Sequence, residues 1–521
     1  MMEKYLFVIL TVAASVYAAT APAYAAQIAG YKPYGFLKTN KKARDFVAKY
    51  YAILTIFCLI LLILPHFLTA VVLTFAAFFA ALTLKNRAKF LKSFRFTKRG
   101  TRLMITEAVI AAAEGALFFV ALGDAFYAAA VALPLVSLPN LILALCLTAP
   151  LESAFKKSFI KKTAKIIKES GVVVVGVTGS YAKSSVKSYL SKILAEKYRT
   201  YETVGNFNTP MGLSLSVKNM PQDTEIFVVE MGARKTGDIE EMCRIARPKH
   251  GVITGIAPQH LETFLSLENI MNEKGALARY VPRGGKIVSR DLDNLSVDAE
   301  VSVFNKDFFV TDVVLTENGT TFTLDVGGKK LQLQTPLLGR HNAENVALAA
   351  VMALNLGVSE GQVAAAAKKN EPLSHPLSVG KSAAAEKNLE PLPHRLSVEK
   401  RGGITVIDDS YNANPKGVRA ALEVLKMFGG RKVAVTPGLV ELGKKEEEEN
   451  VNFGKLLAHA ADVVILTGGR TSDFVEKGLM AENFKSYFRF NGLSEAEKAF
   501  SGVLKTGDVV LFSNDLPDNY D

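Results

Sequence analysis

The N-terminal third of this 521-residue chain alternates long apolar stretches with blocks of basic residues. Residues 1–170 contain 21 Lys and Arg against 7 Asp and Glu, whereas the remaining residues carry a net charge of −2. The basic residues form three blocks, 32–49, 85–102 and 156–168, and the stretches between them contain no Lys or Arg. The net charge of +12 therefore belongs to the N-terminal third. Since the rest of the chain is slightly acidic, the charge distribution excludes nucleic acid as a partner.

The apolar stretches are long enough to cross a membrane, for which about 20 apolar residues suffice. Residues 5–27 fit one crossing, residues 51–84 fit a hairpin broken at Pro65, and residues 103–149 fit two helices with a turn at 122–124. All three basic blocks then lie on one side, which the positive-inside rule makes cytoplasmic. We predict a multi-pass module of about five helices in the cell membrane, with an external N-terminus and the rest of the chain in the cytoplasm.

Two features of this module leave alternatives open. The first stretch also has the order of a cleaved signal peptide, but cleavage would export the first basic block, so the charge rule favours an uncleaved anchor. Glu107 and Glu114 lie seven residues apart on one face of a spanning helix. They either have a function in the membrane, or they lie near a helix end or face the interior of a helical bundle.

From residue 171 strands and helices alternate, which is typical of an α/β fold. A buried strand, 172–175, precedes the polar turn GVTGSYAKSS and a helix. Such a turn holds phosphate through backbone N–H groups, with Lys183 neutralising the phosphates and Ser184 binding Mg²⁺. Ala182 stands where the strict pattern has glycine, and a positive φ there would cost about 1–2 kcal/mol. The turn is either a phosphate site or an ordinary connection.

Polar residues follow two further strands. Glu230 ends the strand 225–229, and His260 lies in the loop after the strand 251–254. Ligand sites of α/β proteins form at the carboxyl ends of strands, so we expect these side chains beside the phosphate turn. Lys274 lies on the next helical segment, where the sequence pattern by itself predicts a surface lysine.

Eight motifs follow one another along the chain: TGSYAKSS (178–185), GNFNTPMG (205–212), VVEMGARKTGDI (228–239), PQHLE (258–262), NEKGAL (272–277), GRHNAENVALAA (339–350), HRL (394–396) and DDSYNANP (408–415). In this order they resemble the Mur ligases, ATP-dependent amide-forming enzymes of peptidoglycan precursor synthesis. The similarity is greatest to the branch that adds D-alanyl-D-alanine, in particular to a membrane-attached subgroup.

The resemblance implies a fold class and a domain order. The fold is α/β, with an N-terminal transmembrane module over 1–170, a Mur-ligase-type P-loop ATPase domain over 171–370 and a C-terminal Rossmann-like lid domain over 394–521. A linker, 371–393, separates these two domains. A short duplication offset by 19 residues begins in it, with copies at 371–379 and 390–398, and only the second copy has an arginine, Arg395. Segment 294–335 reads as hairpins added to the central sheet.

The resemblance also implies site residues, with ATP and two Mg²⁺ ions as cofactors. Lys183, His260 and Lys274 are catalytic, Lys274 as a carbamate; Ser184, Glu230 and His260 bind the metal. The nucleotide is held by Thr178, Gly179, Ser180, Lys183, Ser184, Ser185, Asn342, Asn345, Arg395 and Asp409. The acyl substrate and its partner amine are bound by Asn206, Asn208, Thr209, Asn412 and Asn414.

The activity implied is addition of D-alanyl-D-alanine to a UDP-muramoyl-tripeptide through an acyl phosphate, in contact with other cell-wall enzymes. Ala182 and Ala276 depart from the family pattern, and the domain that binds UDP is missing. Two alternatives follow: an amide ligase or amidating enzyme that acts on a lipid-linked precursor, and a non-catalytic membrane scaffold with a degenerate ATP site.

Overall fold

The computed structural model describes most of the chain. The described residues are 2–28, 30–31, 47–49, 51–56, 59, 97–122, 127, 131–257, 261–292, 297–316, 319–369, 397–409, 415–440 and 442–513. Residues 1–158 form one compact unit, and residues 159–520 form a second.

The first unit is helical. Its helices are α1 (Met2–Ile28), α2 (Lys98–Ala121) and the beginning of α3 (Ser137–Ser170), which is preceded by a 3₁₀ turn, Leu133–Val136. Three segments of the described chain are long and apolar enough to cross a membrane: Lys4–Tyr24, Lys98–Ala121 and Leu133–Ser170. Helix α2 ends at Ala121. Of the turn predicted at 122–124, only Leu122 belongs to the described residues. Nearly all of the hairpin predicted over 51–84 lies outside the described residues.

The carboxylates of α2 face the interior of this unit. Glu107 is fully buried and accepts a hydrogen bond from Ser15 Oγ on α1 at 3.3 Å. Glu114 accepts one from Asn140 Nδ2 on α3 at 2.6 Å. Buried carboxylates need such donors, so the bundle-interior alternative for Glu107 and Glu114 is confirmed within this unit.

The second unit begins with a parallel sheet of order β2-β3-β1-β4-β5-β6. The strands are β1 (Val173–Thr178), β2 (Thr200–Glu202), β3 (Ile226–Glu230), β4 (His250–Ile253), β5 (Lys286–Ser289) and β6 (Glu300–Val303). The helices of this part are α4 (Lys183–Leu194), α5 (Pro210–Lys218), α6 (Asp238–Ala246), α7 (Leu261–Phe264), α8 (Leu267–Tyr280), α9 (Arg340–Asn355) and α10 (Glu360–Lys368).

Two cores cover the faces of this sheet. On one face α4, α9 and α10 pack around residues such as Val175, Leu190 and Val346. On the other face α5, α6 and α8 pack around Val174, Phe227 and Leu277. Strands buried on both faces are nearly continuous apolar runs, which is why 172–175 and 226–229 were recognisable from the sequence.

The hairpin segment forms its own sheet, so its predicted addition to the central sheet is wrong. The strands β7 (Phe308–Thr316), β8 (Gly319–Val326) and β9 (Lys329–Thr335) are antiparallel, and only β6 joins the central sheet. Phe308, Phe322 and Leu333 point into the α4–α9 core. Burying this apolar face against α9 stabilises a separate sheet layer.

The C-terminal part is a second α/β layer structure, as predicted. Its sheet has the order β10-β11-β15-β12-β13-β14, in which only β10 is antiparallel to its neighbour. The strands are β10 (Ser397–Arg401), β11 (Ile404–Asp408), β12 (Lys432–Thr436), β13 (Val463–Thr467), β14 (Tyr487–Phe490) and β15 (Val509–Phe512). The helices are α11 (Pro415–Met427), α12 (Glu446–Ala458), α13 (Arg470–Ala481) and α14 (Leu493–Val503). The duplicated linker, 371–393, lies outside the described residues.

Candidate functional site

Three neighbouring strands end at the same edge of the central sheet. Strand β1 lies between β3 and β4, with Val177 opposite Glu230 and Thr178 opposite Ile253. The loop 179–182, Glu230 and the loop 254–257 therefore meet at the carboxyl ends of the strands. The chain adds β2 and β3 on one side of β1 and then β4 on the other side. At such a reversal of strand order α/β folds form ligand clefts.

The turn after β1 is closed against the loop after β4. Ser180 donates its backbone N–H to Gly255 O at 2.9 Å and its hydroxyl to Ala257 O at 3.0 Å. Gly179 has φ +149°, and a Cβ there would stand 2.0 Å from Thr254 Oγ1. Only glycine fits this close approach of backbone. The turn therefore has a shape that only glycine permits at position 179.

Ala182 occupies the conformation for which glycine is usually selected. It is the N-cap of α4, with φ 61° and ψ 3° in the left-handed region. Alanine pays about 1–2 kcal/mol for this conformation. The substitution therefore leaves the shape of the turn intact at a cost in backbone strain.

The first turn of α4 presents its polar residues at the turn. Lys183 Nζ donates to the carbonyl oxygens of Gly179 and Ser180, both at 2.9 Å, so the ammonium lies over the loop. Ser184 and Ser185 follow it and are nearly buried. Thr178 donates its hydroxyl to Met231 O at 2.9 Å and is fully buried, which ties β1 to the chain after β3.

Glu230 is a buried carboxylate with one unused oxygen. It is 1% exposed; Oε1 accepts from Asn208 Nδ2 at 3.2 Å, and Oε2 has no hydrogen-bond partner among the described residues. Gly232 permits this arrangement, because a Cβ there would stand 2.7 Å from Asn208 Cγ. Within the described ranges no three His, Cys, Asp or Glu side chains form a metal-binding group.

Lys274 is buried, not a surface lysine. It is 3% exposed, and burial, followed by the charge of Lys183, lowers its pKa to about 7. The adjacent Glu273 accepts from the backbone N–H groups of Gly237 at 2.8 Å and Ile239 at 2.7 Å, and so caps α6. Glu273 thereby fixes the segment of α8 that carries Lys274. Ala276 is a core residue on the same helix.

The loop before α5 holds the three predicted substrate residues in different ways. Asn206 is exposed, and Thr209 caps α5 by accepting from Gly212 N at 3.3 Å. Asn208 contacts Glu230 as described. A residue not predicted from the sequence, Lys187, lies beneath this loop with 1% exposure and donates to Thr203 O and Gly205 O, each at 2.7 Å.

The two predicted base-contacting asparagines differ in what their side chains contact. Asn342 donates to Leu338 O at 2.9 Å and lies 3.5 Å from Tyr189 OH. Asn345 Oδ1 is buried without a hydrogen-bond partner in the described part of the chain. The same holds for His341 Nδ1 and Arg290 Nη1 nearby, and burial, followed by the charge of Arg290, lowers the pKa of His341 to about 4.

Arg290 joins the loop after β5 to α9 and to the phosphate turn. Its guanidinium pairs with Glu344 and lies 5.7 Å from the ring centroid of Tyr181. The ring of Tyr181 in turn packs on Gly255, where a Cβ would stand 1.8 Å from it. Desolvation, the largest cause, raises the pKa of Tyr181, while the charge of Arg290 opposes it.

Of the site residues predicted in the C-terminal domain, only Asp409 belongs to the described residues. It follows β11, and its backbone N–H donates to Phe512 O at 2.8 Å. The other three, Arg395, Asn412 and Asn414, and also His260 lie outside the described residues.

Two family models match the part of the chain that carries this site. The Mur ligase middle domain matches residues 177–353, and the Mur ligase, glutamate ligase domain matches residues 394–514; together they cover more than half of the chain. The chain belongs to the Mur ligase family. This confirms the predicted family, the predicted α/β fold and the predicted class of enzyme, an ATP-dependent ligase.

Curated relatives of this Mur ligase are named UDP-N-acetylmuramoyl-tripeptide--D-alanyl-D-alanine ligase. The Bacillus subtilis relative is 28% identical over 66% of this chain and 74% of its own length. The Escherichia coli relative is 28% identical over 57% and 65%, and the Mycobacterium tuberculosis H37Rv relative 30% over 60% and 62%. The chain thus spans slightly less than two thirds of the latter two.

Solved structures agree with the fold of this Mur ligase. The MurF ligase of Thermotoga maritima in complex with ADP is 25% identical, with a TM-score of 0.58 over 69% of this chain and 80% of that one. A MurF structure from Acinetobacter baumannii is 23% identical, with a TM-score of 0.60 over 69% and 78%. At this identity the second likeness is one of fold alone.

Sequence reasoning missed Lys187, Glu273 and Arg290 in this Mur ligase. Each acts across a long sequence separation, for example 34 residues between Glu273 and Ile239 and 54 between Arg290 and Glu344. For Lys187, a lysine within the mostly apolar buried face of α4 was the one available signal.

Proposed function

We propose that this Mur ligase joins D-alanyl-D-alanine to the terminal carboxylate of a UDP-muramoyl-tripeptide, using ATP and Mg²⁺ and an acyl phosphate. The observation that carries the proposal is the meeting of the phosphate turn, Glu230 and the buried Lys274 at one sheet edge. The names of the curated relatives support the choice of substrates.

The nucleotide would lie on the turn after β1. Thr178, Gly179 and Ser180 shape the turn, Lys183 supplies positive charge, and Ser184 and Ser185 line the first turn of α4. Asn345, with the polar atoms of His341 and Arg290, offers buried unsatisfied groups that suit the polar edge of a purine. Asn342, Arg395 and Asp409 stay proposed nucleotide contacts from the family resemblance.

Mg²⁺ fits the oxygen donors on this edge. It prefers hard oxygen ligands and binds through one or two carboxylates together with phosphates; Glu230 Oε2 and the Ser184 hydroxyl are such donors, and His260 would join them. When bound, Mg²⁺ neutralises the charge around a transferring phosphoryl group. The buried Oε2, which accepts no hydrogen bond among the described residues, supports the fit of one ion, and a second ion stays part of the proposal.

Lys274 would carry a carbamate. An amine attacks CO₂ only when it is neutral, and the lowered pKa leaves an appreciable neutral fraction near pH 7. The carbamate places a negative charge in a buried setting that the neighbouring Lys183 stabilises. It would also supply the oxygen ligand that the described side chains lack.

The protein residues would prepare the two substrates for sequential attack. A carboxylate is a poor acyl donor until it is phosphorylated, after which an amine displaces phosphate. Lys183 orients the phosphates, while Asn206, Asn208 and Thr209 border the acyl substrate and Asn412 and Asn414 would approach it from the C-terminal domain. Closure of the C-terminal domain, proposed over 394–521, would exclude water from the acyl phosphate.

The helical module would anchor the enzyme in the cell membrane with its ligase domains in the cytoplasm. Supporting this, apolar side chains on α3 stay exposed at every fourth residue: Leu143, Leu147, Leu151, Phe155 and Phe159. A row of exposed apolar side chains suits contact with lipid. The five-helix count, the boundary at 170, the linker over 371–393 and contacts with other cell-wall enzymes belong to the same proposal.

A second candidate, favoured by these apolar helices, is amide formation on a lipid-linked precursor. Phosphate release from detergent-solubilised protein is measured with ATP, D-alanyl-D-alanine and either UDP-muramoyl-tripeptide or a lipid-linked acceptor. Stimulation by the UDP-linked substrate supports the first candidate, and stimulation by the lipid-linked acceptor alone supports the second. Lys183→Ala and Glu230→Ala should each abolish phosphate release. Unchanged complementation by both variants would favour the non-catalytic scaffold.

A further inference from the structure

Lys187 joins the helix of the phosphate turn to the loop over the acyl-substrate side of the site. It lies one helical turn after Lys183 on α4 and is 1% exposed. Its ammonium donates to Thr203 O and Gly205 O, each at 2.7 Å. We call residues 203–209 the acyl loop. Lys187 therefore holds the acyl loop from the side of α4.

The same ammonium lies between two carboxylates. Glu230 Oε2 is 3.7 Å and Glu202 Oε1 is 3.9 Å from Lys187 Nζ. An ammonium has three N–H donors, and two point to backbone carbonyls. Lys187 thus supplies the counter-charge that a buried Glu230 needs, yet leaves Oε2 without a hydrogen-bond donor.

The acyl loop has further attachments near its ends, and the Asn208–Glu230 hydrogen bond described above is one of them. Thr203 N donates to Val228 O at 3.0 Å, Val204 N donates to Ser216 Oγ at 3.2 Å, and Gly232 N donates to Asn208 O at 2.8 Å. The two hydrogen bonds of Lys187 join the loop to α4. Removing the ammonium would take this donor away from the buried Thr203 carbonyl and from the partly buried Gly205 carbonyl.

We propose that Lys187 is a positioning residue that holds the acyl loop and the Glu230 carboxylate in one arrangement relative to the phosphate turn. The proposal rests on the function proposed above. By fixing the loop before substrate arrives, Lys187 lowers the entropy that binding the acyl substrate would otherwise lose. Its effect acts on acyl-substrate binding and not on the amine.

The test compares Lys187→Met, which keeps the length of the side chain and removes its charge, with Lys187→Arg and with Lys218→Met. Lys218 is an exposed lysine on α5, close in sequence to the acyl loop, and serves as the control. Full-length protein in detergent is used throughout. Hydrogen exchange of the unliganded protein and the two KM values are measured.

For Lys187→Met we expect about tenfold faster exchange in the peptide 203–209 with unchanged exchange in β1. The KM for UDP-muramoyl-tripeptide should rise about tenfold, while that for D-alanyl-D-alanine changes less than about threefold. Lys218→Met should match the wild type. Unchanged loop exchange, or equal changes in both KM values, overturns the proposal.

Lys187→Arg tests the positioning role of Lys187 if the Met variant does not fold. A guanidinium keeps the charge but cannot reproduce both carbonyl contacts and the carboxylate contact, so the KM for the acyl substrate should rise alone. Equal or absent KM changes contradict the proposal. If the wild type does not use the UDP-linked substrate, the proposed function fails, and the exchange measurement still tests the role of Lys187.

Discussion

A Cβ placed on Gly179 would stand 2.0 Å from the hydroxyl oxygen of Thr254. The phosphate turn therefore lies close against the loop after β4. The φ of +149° at Gly179 is a second reason why this position requires glycine. The turn is therefore held in one shape by neighbours outside its own sequence motif.

Gly179→Ala should lower the affinity for ADP about a hundredfold or more, because the turn must move away from Thr254. Binding of a fluorescent ADP analogue measures this. Gly361→Ala is the control: Gly361 lies on α10 with no heavy atom within 4 Å of a built Cβ, so affinity should not change. Wild-type affinity in Gly179→Ala would remove the turn from the nucleotide site.

Ala182→Gly should stabilise the protein slightly. Relief of the left-handed strain gains about 1–2 kcal/mol, and the added freedom of glycine in the unfolded chain loses about 0.5–1 kcal/mol. The net gain in free energy of unfolding, about 0.5–1 kcal/mol, is measured by urea denaturation. A loss of stability would show that Ala182 is not strained.

Lys274→Met should stabilise the protein near pH 7 in bicarbonate-free buffer. The folded pKa, about 7, lies below the unfolded value of 10.5, so the unfolded chain binds more protons between these values and stability rises with pH there. Methionine removes this slope and adds about 4 kcal/mol near pH 7. Unfolding is followed from pH 6 to 10; the same slope in wild type and variant is the contrary result.

His250 should make the protein sensitive to acid. Its Nδ1 accepts Lys286 N at 3.1 Å, and burial lowers its pKa from 6.5 to about 4. The unfolded chain binds more protons in that window, so about 2–3 kcal/mol of stability is lost as pH falls from 6.5 to 4.

His250→Asn, which retains an acceptor, should reduce this loss, and His459→Asn should not, because His459 is exposed. Unfolding free energies at pH 4, 5, 6 and 7 test both. An unaltered pH dependence in His250→Asn would place the acid sensitivity elsewhere, with His341 as the next group, its pKa also about 4.

The sequence contained enough to predict the sheet edge of the site but not its supporting contacts. Glu230 and the phosphate turn were recognisable because each follows a short apolar strand. The burial of Lys274 was not, because the cap that Glu273 places on α6 joins segments 34 residues apart. The separate β7–β8–β9 sheet was missed for a similar reason: hairpin patterns specify strands, whereas packing against α9 determines which sheet they form.

In the proposed reaction ATP activates a substrate carboxylate by transferring a phosphoryl group to its oxygen. UDP-muramoyl-tripeptide labelled with ¹⁸O in the terminal carboxylate is incubated with full-length protein, ATP, Mg²⁺ and D-alanyl-D-alanine, and both products are analysed by mass spectrometry. We expect UDP-muramoyl-pentapeptide and transfer of one ¹⁸O atom to inorganic phosphate per turnover. Unlabelled phosphate, or phosphate release without the pentapeptide product, would contradict it.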